Sequence, residues 1–235
     1  MHPSIVAHRG LTEVGHIENT LDAIRAAIDA GAPAVEFDVR RSLDDRWVVH
    51  HDPDLRRIHD LPVTIAEHTL AELTSLAPIS PLRDVVAAFA DHPTIPMIEI
   101  KEPTISGLES LVTDLRPALS RPSVVVIARG PDMPRALAET FALLPARPKL
   151  FLYTRSWREA RDRADEPLDG YDLPWDPSDE SEVDPALRRF EKRGQVVAVW
   201  TVNEANDARG WLDRGARWVI TDRPLALSQA LEDTP

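Results

Sequence analysis

Short apolar runs of five to seven residues recur along the chain: 4–9, 34–39, 46–51, 96–101, 123–128, 149–153, 171–175, 196–202 and 217–222. Their length and β-branched content predict strands, and most alternate with stretches whose apolar residues recur at helical spacing. The first such stretch is the clearest, with Asn19 expected as N-cap, Leu21, Ile24 and Ile28 as an apolar stripe, and Gly31 as the stop. The same spacing predicts helices over 81–91, 104–119, 133–144, 155–164, 185–193 and 204–214. Strand followed by helix, repeated, implies a parallel sheet covered by helices.

One connection departs from that rhythm. Only Arg40 to Asp45 separate the runs at 34–39 and 46–51, too few residues for a parallel crossover. These two runs are therefore expected to form an antiparallel hairpin, with paired residue numbers summing to about 87 or 88. Counted as one unit, the hairpin leaves eight strand units, the number that closes a TIM-type (β/α)8 barrel of α/β class. The segment DEPLDGYDLPWDPSDESEVDP reads as a long loop around one short strand. No internal repeat or low-complexity linker appears, and a chain of 235 residues is expected to form one domain over 1–235.

Composition narrows the function classes. A formal charge of −12 and no stripe of Lys and Arg argue against nucleic acid or an anionic membrane as partner. Zero Cys removes disulfides and thiolate metal sites and fits a reducing compartment. The N-terminus has no basic region leading into a long apolar stretch, and no apolar run reaches membrane-spanning length. A cytoplasmic location is the resulting expectation.

The polar residues inside the predicted strands carry the chemistry. Alternation puts Glu36 and Asp38 on one face and Val35, Phe37 and Val39 on the other. If the apolar face meets the helices, both carboxylates point to the barrel axis near the strand ends, where active sites of this architecture lie. Glu99 and Lys101 share one face of their strand in the same way, with Met97. Three carboxylates without Cys suit a hard divalent cation, Mg²⁺ or Ca²⁺. His8 and Arg9 close the first strand just before Gly10, and His51 ends the hairpin. Two imidazoles beside such a cluster suit a general acid and base, and the whole set suits attack on a phosphodiester. A structural ion-pair network is the competing reading of these groups. Trp200, at a strand end, fits either barrel core or a pocket wall. His2, His16, His59, His68 and His92 are expected in solvent, and His50 outward or behind the site.

Seven stretches, in order, resemble the glycerophosphodiester phosphodiesterase family: AHRG at 7–10, ENT at 18–20, EFDV at 36–39, HHD at 50–52, IEIK at 98–101, WTVN at 200–203 and ITDRP at 220–224. The resemblance implies a TIM barrel that cleaves glycerophosphodiesters to glycerol 3-phosphate and an alcohol, using a divalent metal. It implies His8 and His51 as acid and base, Glu36, Asp38 and Glu99 as metal ligands, Arg9 and Lys101 on the phosphate, Trp200 on the pocket wall, and Glu18 and Asn19 in support. It also implies attack by the glycerol hydroxyl next to the phosphate, giving a cyclic phosphate that water opens, and a small insertion at about 53–80. The chain departs from the family pattern at Ile17, where Pro is usual, in the loop LTEVGHI, in the Gly-free turn SLDDR, and at Arg129, where the strand ends IARG rather than Ser-Phe. Arg129 at that position would favour a more anionic substrate. Phospholipase D-like cleavage of lysophospholipids is the nearest alternative activity, but no clear apolar or basic rim supports it. A non-catalytic barrel is disfavoured because every acid/base and ligand residue is present.

Overall fold

The computed structural model describes residues 1–102, 105–119 and 123–232; residue 104 of the expected helix lies outside them. In chain order the strands are β1 (Ile5–His8), β2 (Ala34–Arg41), β3 (Trp47–Val49), β4 (Ser80–Pro81), β5 (Ile95–Ile100), β6 (Val125–Ala128), β7 (Lys149–Tyr153), β8 (Gly170–Pro174), β9 (Val196–Trp200) and β10 (Trp218–Thr221). The helices are α1 (Leu21–Asp29), α2 (Arg56–His59), α3 (Leu70–Leu76), α4 (Leu82–Ala87), α5 (Leu108–Leu115), α6 (Met133–Phe141), α7 (Trp157–Asp162), α8 (Glu180–Glu191), α9 (Ala205–Asp213) and α10 (Pro224–Glu232).

Eight strands pair in parallel in the order β1, β2, β5, β6, β7, β8, β9, β10, and β10 pairs back onto β1. The ring is thus closed, as the strand count implies. Alternation sorts the side chains as expected. Val35, Phe37, Val39, Ile98 and Ile100 pack outward against the helices, while Val6, Ala34, Met97, Val125, Phe151 and Ala198 fill the axis. Filling the interior leaves a packed floor, so any cleft must open at the strand ends.

β2 and β3 form the expected antiparallel hairpin, pairing Val39 with Val49 and Arg41 with Trp47, a sum of 88. β3 lies outside the ring and pairs on its far edge with β4, a strand not foreseen. Between β3 and β4 the chain makes α2, α3 and a 3-10 turn at Ile65–Glu67. Leu55, Ile65, Leu73 and Ile79 from this segment bury against Val48. His50 is buried beneath it, and its ring stacks at 5.9 Å on His59, which is half-buried rather than in solvent.

Two expectations need correction. Asn19 is not the cap of α1: Thr20 caps it, its side chain accepting from the Ala23 amide, and Asn19 turns inward with φ +57°. The carboxyl-terminal part of the expected loop is helical, because α8 starts at Glu180 and contains Pro185. Proline removes one helical hydrogen bond there. Ion pairs of Glu182 with Arg158 and Arg161, and of Glu180 and Asp184 with Arg214, hold the first turns, and Val183 is buried beneath them. Among the described residues no helix is long and apolar enough to cross a membrane.

Candidate active site

Register brings the polar residues together. His8 lies beside Glu36 across the β1–β2 pairing, Asp38 beside Glu99 across β2–β5, and Tyr153 beside Asp172 across β7–β8. Adjacent strands run about 4.8 Å apart, so inward side chains at these positions meet at one mouth of the barrel. There His8, Glu36, Glu99, Tyr153 and Asp172 line a cavity of about 270 Å³ with Arg9, His51, Lys101, Arg129 and Trp200, and Asp38 is buried behind it. Trp200 is therefore a wall of the cavity, and its indole stacks on Tyr153 at 5.5 Å.

Gly10 makes the turn after β1 possible. Its φ is +94°, and a Cβ there would lie 2.7 Å from the Ala23 backbone carbonyl carbon. Only glycine permits both, and the approach brings Asn19 onto β2. Asn19 donates to Asp38 Oδ2 at 2.8 Å and accepts from the Asp38 amide at 3.0 Å.

Glu36, Asp38 and Glu99 each offer one oxygen within 4.8 Å of the others. Lys101 Nζ sits 2.8 Å from Asp38 and 2.9 Å from Glu99, and Arg9 Nε lies 3.2 Å from Asp38. Burial alone would raise the Asp38 carboxyl, but Lys101 and Arg9 overcome it and hold the group far below the usual range. Glu36 goes the other way, raised well above its usual value by burial and by Asp38 and Glu99. Its Oε2 is buried without a hydrogen-bond donor, and Glu99 Oε1 has an ion pair with Arg129 but no hydrogen bond. Leaving buried carboxylate oxygens unpaired is costly. An oxygen-only donor set with two unsatisfied oxygens fits a hard divalent cation.

Each imidazole is tied at Nδ1 by a carboxylate. His8 Nδ1 lies 2.6 Å from Asp222 Oδ1, and Asn203 donates to the other oxygen of Asp222 at 2.9 Å. His51 Nδ1 lies 2.7 Å from Asp52, and Arg40 donates to the His51 carbonyl at 2.7 Å. Tying Nδ1 frees Nε2 for the cavity; for His8 it lies 3.8 Å from Glu36. Burial lowers the His51 pKa, in spite of Asp38 and Asp52, which pull it up.

A third layer reaches in from the insertion. Arg57, in α2, bonds both oxygens of Glu18 at 2.9 and 2.6 Å and Asp52 at 2.5 Å, and Glu18 also accepts from Arg9 at 2.8 Å. Every residue expected at the site is therefore in or directly behind it.

Asp222, Asp172, Tyr153 and Arg57 also belong to the site, beyond the residues expected from sequence. For the first two the signal was present: Ile220 and Asp222 share parity, as do Gly170 and Asp172, with Tyr171 and Leu173 packing outward. Arg57 belongs to no periodic pattern, and only the folded insertion reveals it.

The chain is thus a closed parallel eight-stranded α/β barrel with two carboxylate-held histidines and a buried acidic triad at the strand ends. The glycerophosphoryl diester phosphodiesterase family model matches residues 8–125 and 133–226, and the chain belongs to that family; it is a glycerophosphodiester phosphodiesterase by class of activity. The probable glycerophosphodiester phosphodiesterase 2 of Mycobacterium tuberculosis is 27% identical over 244 residues, covering 96% of this chain and 89% of its own. The glycerophosphodiester phosphodiesterase of Thermotoga maritima superposes with a TM-score of 0.78 at 30% identity, over 97% of this chain and 98% of that one. A phosphodiesterase of Oleispira antarctica, solved with its product sn-glycerol-3-phosphate, shares the fold with a TM-score of 0.80 at 22% identity, over 98% of this chain and 97% of that one.

Proposed function

We propose that this chain, as one catalytic domain with an insertion at about 53–80, hydrolyses glycerophosphodiesters to sn-glycerol 3-phosphate and an alcohol, with His51 as general base and His8 as general acid. The observation that carries this reading is the pair of Nδ1-tethered imidazoles flanking one cavity that is also lined by Glu36 and Glu99 of the acidic triad and by three cations, Arg9, Lys101 and Arg129. Glu36, Asp38 and Glu99 would hold Mg²⁺ or Ca²⁺, which supplies positive charge against the non-bridging phosphate oxygens. Arg9 and Lys101 add to that charge, and Trp200, whose buried Nε1 has no hydrogen-bond partner, offers a donor to the substrate. Glu18 and Asn19 hold Arg9 and Asp38 in place.

Burial disfavours the protonated form of His51, and its ring can take the proton of the glycerol hydroxyl next to the phosphate. That oxygen then bonds to phosphorus, and the bond from phosphorus to the alcohol breaks. His8 gives the departing oxygen its proton. Water opens the cyclic ester with the two roles exchanged, so protons balance over the cycle.

Release of glycerol 3-phosphate from glycerophosphoglycerol should be abolished by EDTA and restored by Mg²⁺ or Ca²⁺. His51→Ala and His8→Ala should each lower kcat by at least ~100-fold. In the first-turnover burst of p-nitrophenol, whose departure needs no proton, the His8→Ala deficit should shrink and that of His51→Ala should persist. Equal deficits with both leaving groups would refute the assignment of acid and base.

A further inference from the structure

Beside the catalytic cavity lies a second one of about 340 Å³, lined by Lys101, Arg129, Tyr153, Thr154, Arg155 and Glu159. The two share Lys101, Arg129 and Tyr153 and so adjoin along these three side chains. On a chain of formal charge −12, this cavity presents three cations and one carboxylate. Arg155 is exposed and forms no ion pair among the described residues.

Arg129 fixes the sign of what fits. Its guanidinium lies over the Tyr153 ring at 4.0 Å, with Nη1 3.2 Å from Glu99. Tyr153 in turn stacks on Trp200. Stacked aromatic faces are the usual receptor for a quaternary ammonium, but here one face is already covered by the protein's own cation. A choline-like group would meet like charge, while a planar guanidinium and a second free one offer forked donors to phosphate or carboxylate.

The geometry points to a specificity site for an anion: the substrate is a glycerophosphodiester whose end remote from the scissile phosphorus carries a second anionic group, a phosphomonoester or carboxylate, received by Arg129 and Arg155. This assignment rests on the phosphodiesterase reading and narrows its substrate class. Like-charge exclusion and forked contacts act together, so discrimination comes from repelling the wrong end as well as holding the right one.

The test compares kcat/KM for glycerophosphocholine, glycerophosphoglycerol and glycerophosphoinositol 4-phosphate, on the unaltered protein and on Arg155→Gln and Arg129→Gln. Charge-assisted contacts of this kind should favour the phosphomonoester substrate over the choline one by about tenfold or more. Each substitution should reduce that ratio, and Arg129→Gln should do so partly by improving the choline substrate, an effect that mere loss of fold would not give. Equal rates on all three substrates, or a ratio unmoved in both variants, would overturn the anion site while leaving the phosphodiesterase intact. Competitive inhibition by inorganic phosphate that Arg155→Gln relieves, without any preference among substrates, would mean a site for free phosphate and would overturn it too. No turnover of any of the three would sink the phosphodiesterase reading itself.

Discussion

At the scale of single residues, the site works by pairing each reactive group with a partner that removes one degree of freedom. Asp222 illustrates this: bound to His8 Nδ1 and held from behind by Asn203, it decides which ring nitrogen faces the cavity. Asp222→Asn should leave the fold intact but favour the wrong tautomer, lowering kcat by ~10-fold or more in steady-state assays. His50 responds to pH through stability instead. Burial lowers its pKa, whereas an unfolded imidazole titrates near ~6.5. Below about pH 6.5 the unfolded chain binds the extra proton first, so the contribution is whole above that pH and is lost as pH falls toward the folded value. Urea midpoints at pH 7.5 and 5.5 should therefore converge in His50→Gln relative to the unaltered protein.

At the scale of elements, strand alternation made most of the site legible. The outward packing of Val35, Phe37 and Val39 and the inward direction of Glu36 and Asp38 follow from period two alone. The hairpin register was legible too, since six connecting residues leave little choice. What escaped was tertiary in origin. Asn19 has capping chemistry, yet its two bonds to Asp38 outweigh that preference and Thr20 caps instead. Pro185 should stop a helix, but ion pairs from α7 and from Arg214 carry α8 past it. The insertion is the largest such case, because Arg57 connects to Asp52 and to Glu18 only once α2 has docked over β3. Arg57→Ala should lower kcat by ~10-fold or more by loosening His51 and Arg9 together, and lysine should not restore it, since one ammonium cannot reproduce a forked contact to two carboxylates. Steady-state kinetics on both variants checks this.

At the scale of the whole molecule, ring closure sets the tolerance of the barrel. Gly170 opens β8 where a Cβ would lie 2.4 Å from the Val196 carbonyl and 2.6 Å from the Phe151 ring. The Val196 carbonyl is backbone and cannot turn aside, so Gly170→Ala should cost about 1–3 kcal/mol of stability, read as a lower urea midpoint. Closure also joins His8 to a carboxylate 214 positions away. A nascent or truncated polypeptide that stops short of β10 has every triad carboxylate but no Asp222 to steer the proposed acid. Turnover is consequently a late property of the chain, acquired when its first and last strands meet, and an activity assay during refolding would time that meeting.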